Sequence, residues 1–303
     1  MSEIATGRPA AAAPLRRPPR RRIPEAALVA FQSPVGVAGV LIVVAFCAMA
    51  IFAPALTPHP PLAIHELADG RLARLQPPSA TFPLGTTYYG RDVLSQLIAG
   101  SRTALIVGIL STLIMTVVGT GVGLISGYYG GRTDSILMRL TDIAFGIPFL
   151  PFAVVLVALL QPSIWNIVFA ISLLMWRTNA RVIRSQVLSL RERPFVRAAR
   201  VAGASDLRIM LLHIYPNVLP LSLLYVAFGV AWAVLAEASL SFLGFGDPEM
   251  ISWGQMLYNA YVTGSIRVAW WWAVPPGVCI TLFVSAVFLI GREYERFANP
   301  RLR

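Results

Sequence analysis

The chain has 303 residues, 56% hydrophobic and only 13% charged. A soluble domain carries about 25% charged residues, so this composition excludes an ordinary soluble protein and points to long apolar runs in a membrane. All 25 basic residues are arginine and the net charge is +11. They cluster at the ends of apolar runs, which argues for membrane topology rather than nucleic-acid binding.

Residues 1–24 are rich in Ala, Pro and Arg with few large apolar side chains. With the following residues they predict a disordered basic tail over 1–34. It resembles the charged start of a signal peptide, but the next apolar run is too long and no cleavage site is clear. Residues 35–53 therefore read as a retained first span. Residues 54–100 are Pro-rich and form an extramembrane segment. Uncharged runs follow at 103–126, 143–160, 164–176, 217–236 and 268–290. Arg139 and Asp142 flank the second of these, so its helix is expected to begin near Ser135. Gln161-Pro162-Ser163 reads as a tight turn. The run from 164 is expected to continue as helix through Asn179 to about Ser185.

These runs are continuous and not alternating decamers, which excludes a β-barrel. The expected fold is an all-α integral membrane protein with six transmembrane helices. Residues 101–292 form a five-helix core, interrupted by a basic loop at 186–216, and 293–303 a short tail. Orientation follows from arginine. Segments 1–34, 127–141, 177–208 and 291–303 hold twenty arginines, against five in 54–102 and 239–267. Positive charge marks the cytoplasmic side, so both termini and the basic loop are expected there.

Within the spans, Gly119, Gly123 and Gly127 recur at four-residue spacing and share one helix face. Close helix packing and a gating hinge are both open readings. Glu237 follows the fifth apolar run; it either lines a polar path or pairs with an arginine at the interface. Gly244, Gly246 and Pro248 are expected to break the helix after it. Trp253 and Trp270 to Trp272 suit an interfacial aromatic belt, with substrate stacking as the alternative. Cys47 and Cys279 lie inside apolar runs, and His59, His65 and His213 are scattered. No metal-ligand spacing is present, and the cysteines read as small buried hydrophobes.

The most informative stretch runs from Trp176 to Pro216, with eight arginines against Glu192 and Asp206. Pro194 suits the first turn of a helix. Phe195, Ala198, Ala199 and Ala202 are expected to share a shallow face. Gly203 suits the left-handed residue that ends the helix. Ser205 can cap a second helix presenting Leu207, Met210, Leu211 and Ile214, which is expected to stop before Pro216 as the chain leads into the fifth span. Arg193, Arg197, Arg200 and Arg208 rim this helix–turn–helix. Such a basic knob fits a groove on a partner protein, or rests on anionic lipid as an amphipathic hairpin.

RAARVAGASDLRIMLLHIYP resembles the EAA loop of permease subunits in binding-protein-dependent ABC importers. Ala198, Ala199, Gly203, Ile214 and Pro216 match that pattern. Arg197 stands where the family usually has Glu, and Tyr215 where it has Leu. Further stretches are similar to the C-type permease of dipeptide/oligopeptide importers: FPLGTTYYGRDVLSQLIAGSRTAL, GYYGGRTDSILMRLTDI, LSLRER, EASLSFLGFG, SWGQML and the ending NPRLR. The resemblance covers about residues 34–303. Thr87 replaces a common Asp, and Arg292 an Asp of the closing motif.

The resemblance implies a bacterial inner-membrane permease subunit that is not itself an enzyme. An external substrate-binding protein would deliver a peptide to a pore shared with a homologous B-type permease. Two ATP-binding subunits would grip the coupling residues Arg197, Ala198, Ala199, Arg200, Gly203, Ala204 and Ser205. No GxxxxGK[ST] phosphate loop occurs in this chain, so ATP and Mg belong on those partners and no cofactor is expected here. A nickel or other small-solute importer of the same subfamily is the alternative. A secondary transporter is more remote, since the spans carry few ionisable residues and no internal repeat.

Overall fold

The computed structural model describes residues 33–298. The expected disordered tail up to residue 32, and the closing residues 299–303, lie outside that range. The described elements are helices, joined in one extended segment by two isolated bridges, Glu66–Leu72 and Thr86–Asp92.

Helix α1 (Pro34–Ile51) starts where Ser33 accepts a bond from the Gly36 amide at 2.9 Å, with proline in its first turn. A short α2 (Ala53–Leu56) follows. Helix α3 (Val93–Tyr129) is 37 residues long. Its cap is the buried Asp92, whose carboxylate accepts from both the amide and the hydroxyl of Ser95, at 3.0 and 2.6 Å. It therefore begins ten positions before the uncharged run at 103 and takes in the end of the expected extramembrane segment. In that segment Thr87 accepts from the amides of Tyr89 and Arg91 at 3.2 and 3.1 Å. The Thr87 hydroxyl thus serves as the acceptor at this turn.

The expected continuous span over 143–160 is broken. Helices α4 (Gly131–Gly146) and α5 (Phe149–Leu160) meet at 87°. The cause is local. Pro148 and Pro151 lack the N–H groups that would bond the carbonyls of Ala144 and Ile147. Both orphaned carbonyls accept instead from a single Nη of Arg177, the Ile147 contact at 3.4 Å. The Arg177 guanidinium also lies 4.9 Å from the Phe145 ring centroid.

Arg177 sits on α6 (Ile164–Leu190), capped by Ser163 and preceded by Gln161 at φ 72. This helix runs five residues past the expected end near Ser185. A short α7 (Pro194–Val201) leads to α8 (Asp206–Phe245), which is continuous over 40 residues. The expected stop before Pro216 is absent. The chain absorbs Pro216 by widening into a π-turn over Ile209–Ile214, just ahead of it. A second π-turn, Ser241–Phe245, contains Gly244 at φ 90 and ends the helix. Helices α9 (Trp253–Val262) and α10 (Trp270–Ala298) complete the chain.

Four helices are long and apolar enough to cross a membrane: α1, α3, α8 and α10. The count is five if the bent pair α4–α5 is one span. The expected six is not reached by this measure because the second half of α6 carries Arg177, Arg181 and Arg184. The most extensive helix contact is α3 against α6, with α8 and α10 packed alongside. Trp253 and Trp272, expected at the interface, are instead buried. Trp253 donates to the Leu97 carbonyl at 2.9 Å and packs edge-on against Phe46.

Candidate functional site

The basic segment folds as an ordered hairpin. Pro194 occupies the first turn of α7 after the extended Arg193. The helix ends on Gly203, at φ +79. The Ala204 amide reaches back to the Ala199 carbonyl at 3.1 Å, and the Gly203 amide to that of Arg200 at 3.0 Å. This paired closure satisfies two terminal carbonyls and places Ala199 and Ala204 against each other in the core. Ser205 then caps α8, accepting from the Arg208 amide at 3.4 Å.

The inward face differs from the one expected. Val196 is fully buried, with Ala199 partly so, and they meet Ile209, Met210 and Ile214. Phe195, Ala198 and Ala202 point outward with Val201, which is 90% exposed. On the second helix Met210 and Ile214 face inward as expected, whereas Leu207 and Leu211 are exposed. The π-turn rotates the helix, which brings Ile209 into the core and moves Leu207 out. The outward surface is thus apolar at its crest and rimmed by Arg193, Arg197, Arg200 and Arg208, all exposed.

The hairpin is bolted to α3. The Tyr128 hydroxyl donates to Asp206 at 2.6 Å and also meets Arg200. Arg191 donates to the Gly127 carbonyl at 3.1 Å. Beside it, Arg184 grips Asp134 through two nitrogens at 2.5 and 2.6 Å, and Ser126 donates to the same carboxylate. Arg197 makes only a 3.4 Å contact with Glu192, both side chains being well exposed.

Gly119, Gly123 and Gly127 lie on the α3 face that meets α6. A Cβ on Gly119 would stand 2.6 Å from the Trp176 carbonyl oxygen, and one on Gly123 2.6 Å from that of Ala180. On Gly127 it would lie 2.7 Å from the Val187 Cβ. The stripe lets two backbones touch. Buried polar groups reinforce the contact: Asn179 donates to the Thr116 carbonyl and to Thr120, each at 3.1 Å, and Thr120 pairs with Ser222 on α8.

The position of Glu237 and its pairing with an arginine need correction. It does not follow the apolar helix but lies within α8, 2% exposed. Its partners among the described residues are Ser241, at 2.6 Å, and Ser252 rather than an arginine. The carboxylate ties α8 to the residue that caps α9. Sequence reasoning missed it because the helix runs on to Phe245. It also missed Tyr128 and Arg177; the prolines four positions beyond Ala144 and Ile147 were the available signal for the latter.

Residues 119–303 match the family model described as the binding-protein-dependent transport system inner membrane component. Residues 26–78 match the N-terminal membrane domain of oligopeptide transport permease C. The chain is 34% identical to a dipeptide transport system permease of Alkalihalophilus pseudofirmus, over 90% of this chain and 88% of that protein. It is 36% identical to a di/tripeptide transport system permease of Pseudomonas aeruginosa, over 87% and 86%. A probable D,D-dipeptide transport permease of Escherichia coli is 34% identical, over 89% and 88%.

Proposed function

From the premise that the chain belongs to the C-type inner-membrane permeases of binding-protein-dependent peptide importers, we propose that it forms half of a peptide path and that its basic hairpin receives the ATP-driven stroke. The chain is the permease, not the ATPase. It works with a homologous permease, two ATP-binding subunits and an external binding protein, and holds no cofactor. Six spans with both termini cytoplasmic complete the reading. The sixth is α6, whose arginines Arg177, Arg181 and Arg184 each donate to an oxygen of α4. Residues 35–53 form the first span, 54–100 the external segment, 101–292 the core and 186–216 the coupling loop.

The observation that carries this is the exposed apolar crest of Phe195, Ala198 and Val201 on a hairpin fixed to α3. An ATPase groove would bury the crest, and the arginine rim would meet its edges. In the coupling set, Ala198 allows close approach, Ala199 packs inward, and Arg197 and Arg200 supply charge. Gly203, Ala204 and Ser205 form the turn. Because Tyr128 and Asp206 link the hairpin to α3 and α8, a push on the crest moves those helices. The stripe Gly119, Gly123 and Gly127 keeps α3 and α6 together as one lever. Glu237 holds the far end of α8 against α9.

The test is a single cysteine, Val201→Cys, in a chain lacking Cys47 and Cys279. In the assembled complex it should cross-link to an ATP-binding subunit. A residue 201 that forms no such adduct in an intact complex would refute the docking reading.

A further inference from the structure

A half-open cavity of about 610 Å3 lies among α3, α5, α6, α8 and α10. That is ample for a small ligand. Its walls are largely apolar and aromatic, with Phe149, Tyr225, Trp232 and Phe288, and Arg177 is its only charged lining residue. Arg177 follows Ile164 by thirteen positions of helix, so with α6 as the sixth span it would stand about 20 Å into a hydrocarbon layer of about 30 Å. A guanidinium at such a depth needs a reason.

The carbonyls of Ala144 and Ile147 use only one Nη of Arg177. The Nε and the other Nη make no hydrogen bond among the described residues and remain as a fork. The cavity thus offers a two-nitrogen donor with aromatic surface around it. A carboxylate matches that fork, since a guanidinium binds carboxylate in two places.

We propose that Arg177 forms a subsite for the C-terminal carboxylate of the peptide in transit. The aromatic walls take its variable side chains. This rests on the peptide-permease reading above. Arg177 then has two roles on separate nitrogens. It holds the bend between α4 and α5 and binds cargo, so cargo binding is felt at the bend.

The test uses the assembled complex of this chain with its partner permease and ATPases in nanodiscs, without the binding protein, which would impose its own selectivity. Radiolabelled alanyl-phenylalanine and its C-terminal amide are the probes. Wild type should bind the free acid at least tenfold more tightly than the amide. Arg177→Gln should abolish that preference by weakening the acid while leaving amide binding unchanged. Arg177→Lys, which keeps the charge but loses the fork, should lie between them. The same acid-to-amide ratio in all three, or no saturable binding by wild type, overturns the subsite. Uptake of the free acid by wild type with its binding protein is scored separately. Its absence sinks the peptide reading itself, whereas uptake with an unchanged binding ratio sinks only Arg177.

Discussion

Replacing Gly203 isolates the conformation of the hairpin turn from its packing. The residue sits at φ +79, and a Cβ built there would meet nothing within 4 Å. Any effect of Gly203→Ala is therefore a backbone effect. An L-residue in the left-handed region costs about 1–2 kcal/mol. The two bonds that close the turn, at 3.0 and 3.1 Å, contribute about 1 kcal/mol each. Alanine should thus weaken closure by a factor of about 5–30, and the β-branched Gly203→Val by more. Gly203→Asn should be tolerated, because Asn enters this region most readily among side-chain-bearing residues. Hydrogen exchange at the Ala204 amide reads turn closure directly, and ATP-driven uptake at equal abundance reads its consequence. Exchange should quicken and uptake should fall in the order Asn, Ala, Val. Val behaving as wild type in both assays would refute the turn as a coupling element.

Four further outcomes follow from the geometry. Gly123→Ala places a Cβ 2.6 Å from the Ala180 carbonyl oxygen, whereas Gly121→Ala meets nothing within 4 Å. Overpacking of about 1–3 kcal/mol should lower the melting midpoint of the purified complex for residue 123 alone. The exposed Arg197–Glu192 contact at 3.4 Å stabilises by about 0–1 kcal/mol, so Arg197→Ala should melt like wild type. ATPase retention in detergent should then fall from Arg197 to Ala to Glu, and equal retention would reject a specific contact. Single cysteines at Gly70 and Ser205, in a background without Cys47 and Cys279, should label from opposite sides of the membrane; equal labelling in whole cells would overturn the arginine-based orientation. Burial first, then the neighbouring His59, holds the His65 imidazole below its ordinary pKa. The opened segment then binds more protons than the closed one between the lowered value and the ordinary one. Stability of residues 54–92 should therefore be complete above about pH 6.5 and decline as pH falls through the lowered value. His65→Gln should flatten that dependence in hydrogen exchange, and an unchanged profile would exclude His65 as its source.

The local chemistry of the hairpin was readable because single residues decide it. Pro194 starts a helix, Gly203 can take positive φ, and Ser205 can cap. The glycine stripe was readable for the same reason, since four-residue spacing defines a helix face. What failed was continuity. Pro216 looked like a stop, but a π-turn carried α8 through it, and that rotation exchanged Leu207 for Ile209 in the core. The apolar run at 143–160 looked like one span, yet two prolines orphan two carbonyls and bend it by 87°. The guanidinium that rescues them lies about thirty residues further on, beyond any local pattern. Glu237 was misplaced by the same error in the end of α8. The sequence carried α6 past its arginines to about Ser185, but not what those arginines bind, because their partners, Ala144, Asp142 and Asp134, come from α4.

The most direct measurement is uptake by proteoliposomes containing this chain, its partner permease and both ATP-binding subunits. Radiolabelled alanyl-phenylalanine and the cognate binding protein are supplied on one side, and ATP on the other. The account predicts accumulation against a gradient that needs both ATP and the binding protein. Accumulation driven by a proton gradient without ATP, or no accumulation by an assembled complex, would contradict it.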